Sequence, residues 1–165
     1  FDYLELAWQD GDDRIFWVPK RQPGLAHVIR REHLISRAPE NGIDADPLRP
    51  YVAGLEDESL PLLEFGQPNP DEMVARGKLG RDDLISFQMN YHRGWKAWVN
   101  GEPAEVLRDG MNYLYVEPKC NGACEVRVEF SGGTEGWLTR GATLLSLLVL
   151  TGMMLPRRSR GTAAS

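Results

Sequence analysis

Cysteine and histidine are scarce in this sequence, with two and three residues among 165, and basic residues are outnumbered by acidic ones. His27, His33 and His92 stand far apart, with no ligand-like spacing to one another or to Cys120 and Cys124, so no metal site is expected. A net charge of −5, with basic residues scattered ahead of the C-terminal tail, leaves no electrostatic footprint for nucleic acid. The chain has no Gly-x-Ser-x-Gly elbow, no glycine-rich phosphate loop and no His-Glu-x-x-His motif. No catalytic residue and no cofactor is therefore nominated. Acidic neighbours do occur at Asp12/Asp13, Glu56-Asp57-Glu58 and Asp82/Asp83, but each falls in a turn-like stretch where solvated acids are common. Internal repeats and low-complexity tracts are missing as well. The sequence opens at Phe1 with no basic n-region and no signal-peptide h-region, which reads as a piece of a longer protein whose upstream part supplies export.

Against this background one feature stands out: the uncharged run 141–155, followed by Pro156 and then Arg157, Arg158 and Arg160. Its fifteen residues rise about 22 Å as a helix, against a hydrocarbon core of roughly 30 Å. Extension back to Trp137 reaches about 28 Å if Arg140 snorkels to the headgroups, and Trp137 then sits in the aromatic belt. A buried core helix is the alternative, but it calls for a polar face, and the only polar groups here are Thr143, Ser146 and Thr151. Their hydroxyls can bond back to the preceding turn, which a bilayer tolerates. The reading is a transmembrane helix over 137–156, a basic cytoplasmic tail over 157–165 and an exported domain over 1–136, because arginine is concentrated after the run. The bilayer is thus the first expected partner.

The exported part reads as strands cut by turn signals. Segments 3–8 and 14–18 flank an Asp-Gly turn as a plausible hairpin. Segment 26–35 looks like an exposed or edge strand. Residues 36–70 are the least regular, with Pro39, Pro47, Pro50, Pro61 and Pro68 punctuating them and one strand expected within 47–55. From 71 onward the pattern sharpens into strands at 73–79, 84–91, 95–99, 104–108, 113–117 and 125–130. Turn residues Gly80, Asn100-Gly101 and Asp109-Gly110 lie between them. Ile85, Phe87, Met89 and Tyr91 share an inner face, as do Val126, Val128 and Phe130. No helix of note is expected before Trp137. The fold class is all-β: an antiparallel β-sandwich, jelly-roll-like, followed by the C-terminal helix.

Cys120 and Cys124 lie in a Cys-x3-Cys loop between two expected strands. An oxidising compartment makes them a disulfide that fixes the turn; free thiols are the second choice, and half a metal site lacks further ligands. The segment 91–101, Tyr-His-Arg-Gly-Trp-Lys-Ala-Trp-Val-Asn-Gly, is the one local signature. Gly94 allows a tight corner and Asn100-Gly101 suits a type I′ hairpin. Trp95 and Ala97 share the face that should point into the sandwich, and Trp98 lies on the other. Core or interface packing is the common role of such indoles, although exposed aromatics on sandwiches also stack on sugar rings. Trp98, with Tyr91 and His92, makes up the candidate binding set.

The same segment with Asn90, then Asp109-Gly110, Val128-Glu129-Phe130 and a terminal apolar helix, resembles the C-terminal part of the YfhO family over about 71–155, and less fully over 1–70. These are large bacterial multi-pass membrane proteins similar to GT-C-type glycosyltransferases, which use polyprenyl-phosphate-linked sugar at the outer membrane face. The resemblance implies a non-catalytic, extracytoplasmic C-terminal domain in the bacterial cell envelope. The family's catalytic residues belong to loops among its N-terminal helices, so none is carried over. It also implies the remaining membrane helices of the parent protein as partners, with glycan or lipid-linked sugar as a possible ligand. The cysteine pair is not part of the family pattern. A membrane-tethered carbohydrate-binding or assembly module without transferase activity is the competing reading. A secreted hydrolase is disfavoured by the missing acid/base geometry.

Overall fold

The chain alternates hairpins with crossings between two sheets. The computed structural model describes residues 4–154. Strands β1 (Glu5–Asp10) and β2 (Asp13–Trp17) open the chain, and β3 (Ala26–Ile29) is followed by helix α1 (Arg49–Glu56). Then come β4 (Glu64–Asn69), β5 (Glu72–Leu79), β6 (Leu84–Asn90), β7 (Trp95–Val99), β8 (Glu102–Ala104), β9 (Leu107–Arg108), β10 (Tyr113–Val116) and β11 (Gly122–Phe130). Helix α2 (Gly133–Met154) closes the described chain. One sheet runs β3-β6-β10-β9 and the other β4-β5-β11-β7-β8, every pairing antiparallel. Their facing sides supply one core: Val28, Ile85, Phe87, Leu114 and Val116 from the first meet Met73, Ala75, Ala97, Val126 and Val128 from the second. Each such side chain taken out of water stabilises by about 1.5–3 kcal/mol. The expected antiparallel sandwich is present.

Turn chemistry sets several boundaries as anticipated. Asn100 and Gly101 take φ of 51° and 89°, the two positive values a type I′ turn needs between β7 and β8. The Asn100 side chain accepts the Glu125 N–H at 2.9 Å and so ties this turn to β11. Asp83 accepts the Gly80 N–H at 2.7 Å, and Asp109 accepts those of Met111 and Tyr113 at 2.9 and 2.8 Å. On β11 the alternation holds: Val126 and Val128 have no exposed surface, while Glu125 and Arg127 face outward and pair with Arg76 (2.6 Å) and Glu72 (3.6 Å). The Cys120–Cys124 disulfide closes the β10–β11 connection, with both cysteines buried in the main core.

Other expectations are corrected. Segment 26–35 is a strand only over Ala26–Ile29, and that strand lies at a sheet edge but is buried at all four positions. Region 47–55 is not a strand: Asp46–Leu48 forms a 3-10 turn that runs into α1, so a helix does precede Trp137. Pro47 and Pro50 sit at helix starts, where a missing N–H costs nothing. Tyr51 of α1 packs its ring 5.9 Å from that of Tyr113 and shares a 3.1 Å hydrogen bond with Ser86, covering the outer face of β6. Leu84 and Ser86 are consequently as buried as Ile85 and Phe87. The expected strand 104–108 is two short ones in different sheets, because the chain crosses between them after Ala104. Strand β4, with Pro68, was not anticipated; it lies at a sheet edge, where proline is tolerated.

Two elements stand outside the sandwich. The β1–β2 hairpin, anticipated from its Asp-Gly turn, forms its own two-stranded sheet and leaves Leu6, Trp8, Ile15 and Trp17 exposed. The C-terminal helix begins at Gly133 rather than at 137, because Gly132 and Gly133 take positive φ (73° and 55°) and turn the chain out of β11. Residues 155–165, with the basic tail, lie outside the described residues. Among the described residues no helix is long and apolar enough to cross a membrane. The apolar part from Gly141 to Met154 rises only about 21 Å.

Candidate functional site at the base of the C-terminal helix

The signature segment forms a corner between the two sheets, and α2 starts against it. Tyr91, just beyond β6, donates its backbone N–H to the Asn112 carbonyl at 2.7 Å. Its ring packs against the main core with the Arg108 guanidinium 5.7 Å from its centroid. His92 accepts the Gly94 N–H at Nδ1 (3.0 Å), so Nε2 carries the proton of the neutral ring. That Nε2 lies 3.6 Å from a carboxylate oxygen of Glu135, in the first turn of α2, and Arg93 reaches the other oxygen at 3.3 Å. The Phe130 ring is wedged between His92 and Trp95, with centroids 5.4 and 5.3 Å away. Ser131 donates its N–H and its hydroxyl to the Gly94 carbonyl at 2.8 and 2.9 Å.

Trp98 is elsewhere. It lies on the outer face of the five-stranded sheet, in a cross-strand row with Val74, Arg127 and Pro103. The Arg127 guanidinium sits 4.5 Å from its ring centroid. Ala97, on the opposite side of β7, is buried in the core, and Trp95 packs against that core, so the expected division between the two indoles holds. Among the described residues no hydrogen bond, ion pair or ring contact joins Trp98 to Tyr91 or His92. The structure therefore splits the candidate binding set: Tyr91 and His92 belong to the helix base and Trp98 to an open sheet face. Glu135, Phe130 and Ser131 were missed as parts of this site. The Gly132-Gly133 pair after an apolar strand was the available signal.

The remaining polar clusters do not assemble a reaction centre. A cleft of about 500 Å³ mixes Arg30, Arg31, Arg81 and Lys119 with as many acids, and Arg31 is paired with Glu117 at 2.6 Å. A smaller one of about 180 Å³ lies beside α1, lined by Lys20, Arg21, His27, Glu56 and Gln88. Burial holds the His27 imidazole below its ordinary range, opposed by the Gln88 side chain and the Gly24 backbone. Its Nε2 is enclosed, with no partner at hydrogen-bonding distance and angle. Burial pushes the Asp109 carboxyl up, against the backbone N–H groups that its turn supplies. Among the described residues no group of three or more His, Cys, Asp or Glu is placed to hold a metal ion.

Helix α2 presents an apolar surface to its surroundings. Leu144, Leu145, Leu147, Leu148, Val149 and Leu150 are each 54–64 % exposed, and successive positions point around the full circumference. Thr143, Ser146 and Thr151 donate their hydroxyls to carbonyls four residues back, each at 2.9 Å. The hydroxyls within the apolar part of the helix are thus satisfied by its own backbone. Compared with family models, curated proteins and solved structures, the chain matches none.

Proposed function

We propose that this chain is a non-catalytic extracytoplasmic β domain with a C-terminal membrane anchor, from a YfhO-like multi-pass protein of the bacterial cell envelope. In this reading the parent protein is a GT-C-like glycosyltransferase that uses polyprenyl-phosphate-linked sugar, and the sandwich covers or positions acceptor beside its membrane-embedded site. The proposed anchor is the segment 137–156, and the arginines at 157, 158 and 160 remain in the cytoplasm. The observation that carries the reading is the surface of α2 beyond Arg140, uncharged and exposed on every side with its hydroxyls bonded to the helix backbone. In water such a surface costs about 25 cal/mol per Å² of apolar area, and a bilayer removes that cost. The resemblance of the corner 91–101 to the family adds the parent.

Topology is tested in intact cells by placing a thiol with Ser165→Cys and adding an impermeant maleimide. The variant should stay unlabelled until the membrane is permeabilised; labelling from outside would overturn the orientation. The tethered carbohydrate-binding module is favoured by one observation, the position of Trp98 on an open sheet face. The sequence upstream of Phe1 separates the two. Further apolar spans support the transferase parent, and a signal peptide directly before Phe1 supports the module.

A further inference from the structure

The corner 91–94 and the first turn of α2 interlock, and we infer that they form a rigid joint that sets the one direction in which α2 leaves the sandwich. Orientation of the domain on a bilayer follows from the anchoring proposed above, but the joint itself does not depend on it. The connection has the composition of a hinge. Ser131 and Gly132 link β11 to α2, which starts at Gly133; both glycines have positive φ, and an unrestrained pair of glycines would let the helix swing. Beyond its first turn the described side chains, from Trp137 to Thr151, are exposed, so that part of the helix is not packed on the sandwich.

Three kinds of contact close the hinge. The first is backbone: the Ser131 N–H and hydroxyl converge on the Gly94 carbonyl, and the Gly136 N–H reaches the Gly132 carbonyl at 2.9 Å. The second is steric. A Cβ on Gly94 would stand 2.8 Å from the Phe130 ring and 2.9 Å from the Gly133 nitrogen, so the corner touches the start of the helix backbone to backbone. The third is electrostatic: Glu135 spans His92 and Arg93 and also places a negative charge at the positive end of the helix dipole. These contacts of Glu135 are exposed and weak by themselves. The backbone contacts supply the rigidity, and the carboxylate adds a preferred rotation about the helix axis. Gly94 and His92 are thereby assigned a positioning role.

Pulsed electron–electron distance measurement tests the joint in the full chain. Spin labels attached through Glu102→Cys and Leu145→Cys place one probe at the far end of β7–β8 and the other midway along α2, in detergent micelles. The expected result is a single narrow distance distribution. Gly94→Val should abolish the single peak by pushing the corner off Gly133. Should that variant not fold, Gly94→Ala, whose Cβ meets the same Phe130 ring and Gly133 nitrogen with less bulk, should broaden the peak. A wild-type distribution as broad as the variants', or folded variants as narrow as wild type, would overturn the joint. Micelles make the readout independent of bilayer insertion, so a failure of the anchoring reading shows separately, as loss of the chain from the membrane fraction with the distance unchanged.

Discussion

Leucine and valine occupy opposite environments in the two halves of this molecule. In the sandwich, Leu114, Val116, Val126 and Val128 have no exposed surface; in α2, Leu144, Leu145 and Leu148 are more than 60 % exposed. The difference is one of partners. Each sheet presents one apolar face to the other, whereas α2 leaves the domain at a double glycine and, among the described residues, its apolar part meets no second element that buries it. A folded domain does not leave such a surface in water without a use for it. The contrast teaches that the sandwich core and the apolar part of α2 do not share a core, while the first turn of α2 is held at the corner 91–94.

The sharpest way to break that comparison is to remove apolar volume from each side. Phe87→Ala should destabilise the sandwich by about 3–5 kcal/mol, since the ring is fully enclosed, and should leave membrane retention unchanged. Leu145→Ala should change the melting temperature by no more than a surface substitution does, within about 0.5 kcal/mol. Equal destabilisation in thermal melts would mean that α2 packs back on the domain.

A smaller contrast lies within β7. Trp95→Ala strips a side chain that packs on the core and on Phe130, and should lower the melting temperature well below that of Trp98→Ala. Trp98→Ala loses a surface contact with Arg127 worth about 0.5–1 kcal/mol. Similar losses would place both indoles in the core and remove Trp98 as a candidate contact for glycan.

The smallest effect is a pH slope. His27 is held below its ordinary value of 6.5 by burial, so the unfolded chain binds the proton more tightly than the folded one. Its neutral form is fully present above that value, and stability should fall as pH drops through about 6.5 toward the lower folded-state value. Melting temperatures of wild type and His27→Gln, measured between about pH 8 and 5, should diverge in that direction, the variant having the flatter profile. A wild-type profile no steeper than the variant's would show that His27 is not the group responsible.

How much of this was legible in the sequence depended on what covers each strand. Strands β7 and β11 have a solvent-facing side, so Trp95/Ala97 against Trp98 and Val126/Val128 against Arg127 alternate plainly. Strands β3 and the first half of β6 are buried on both faces, and their alternation is lost under α1. That helix was hidden because it is short and its prolines read as breaks, when they mark a first turn. The cysteine pairing was legible from the close spacing of the two residues. The role of His92 was not, because its partner Glu135 comes from the far side of five further strands and a disulfide loop, as Arg93's separation of 42 residues from the same carboxylate shows.

The central claim, that α2 is built for lipid rather than for a protein groove or water, is tested most directly by flotation. The full chain is reconstituted from detergent with liposomes, washed at alkaline pH and centrifuged through a density gradient. It should rise with the lipid, and the Leu145→Arg/Leu148→Arg variant should remain in the dense fractions with its sandwich folded, since arginine at the centre of a span costs about 2.5–3.5 kcal/mol per residue. Unmodified chain left in the dense fractions, or variant rising as well as wild type, would contradict the account.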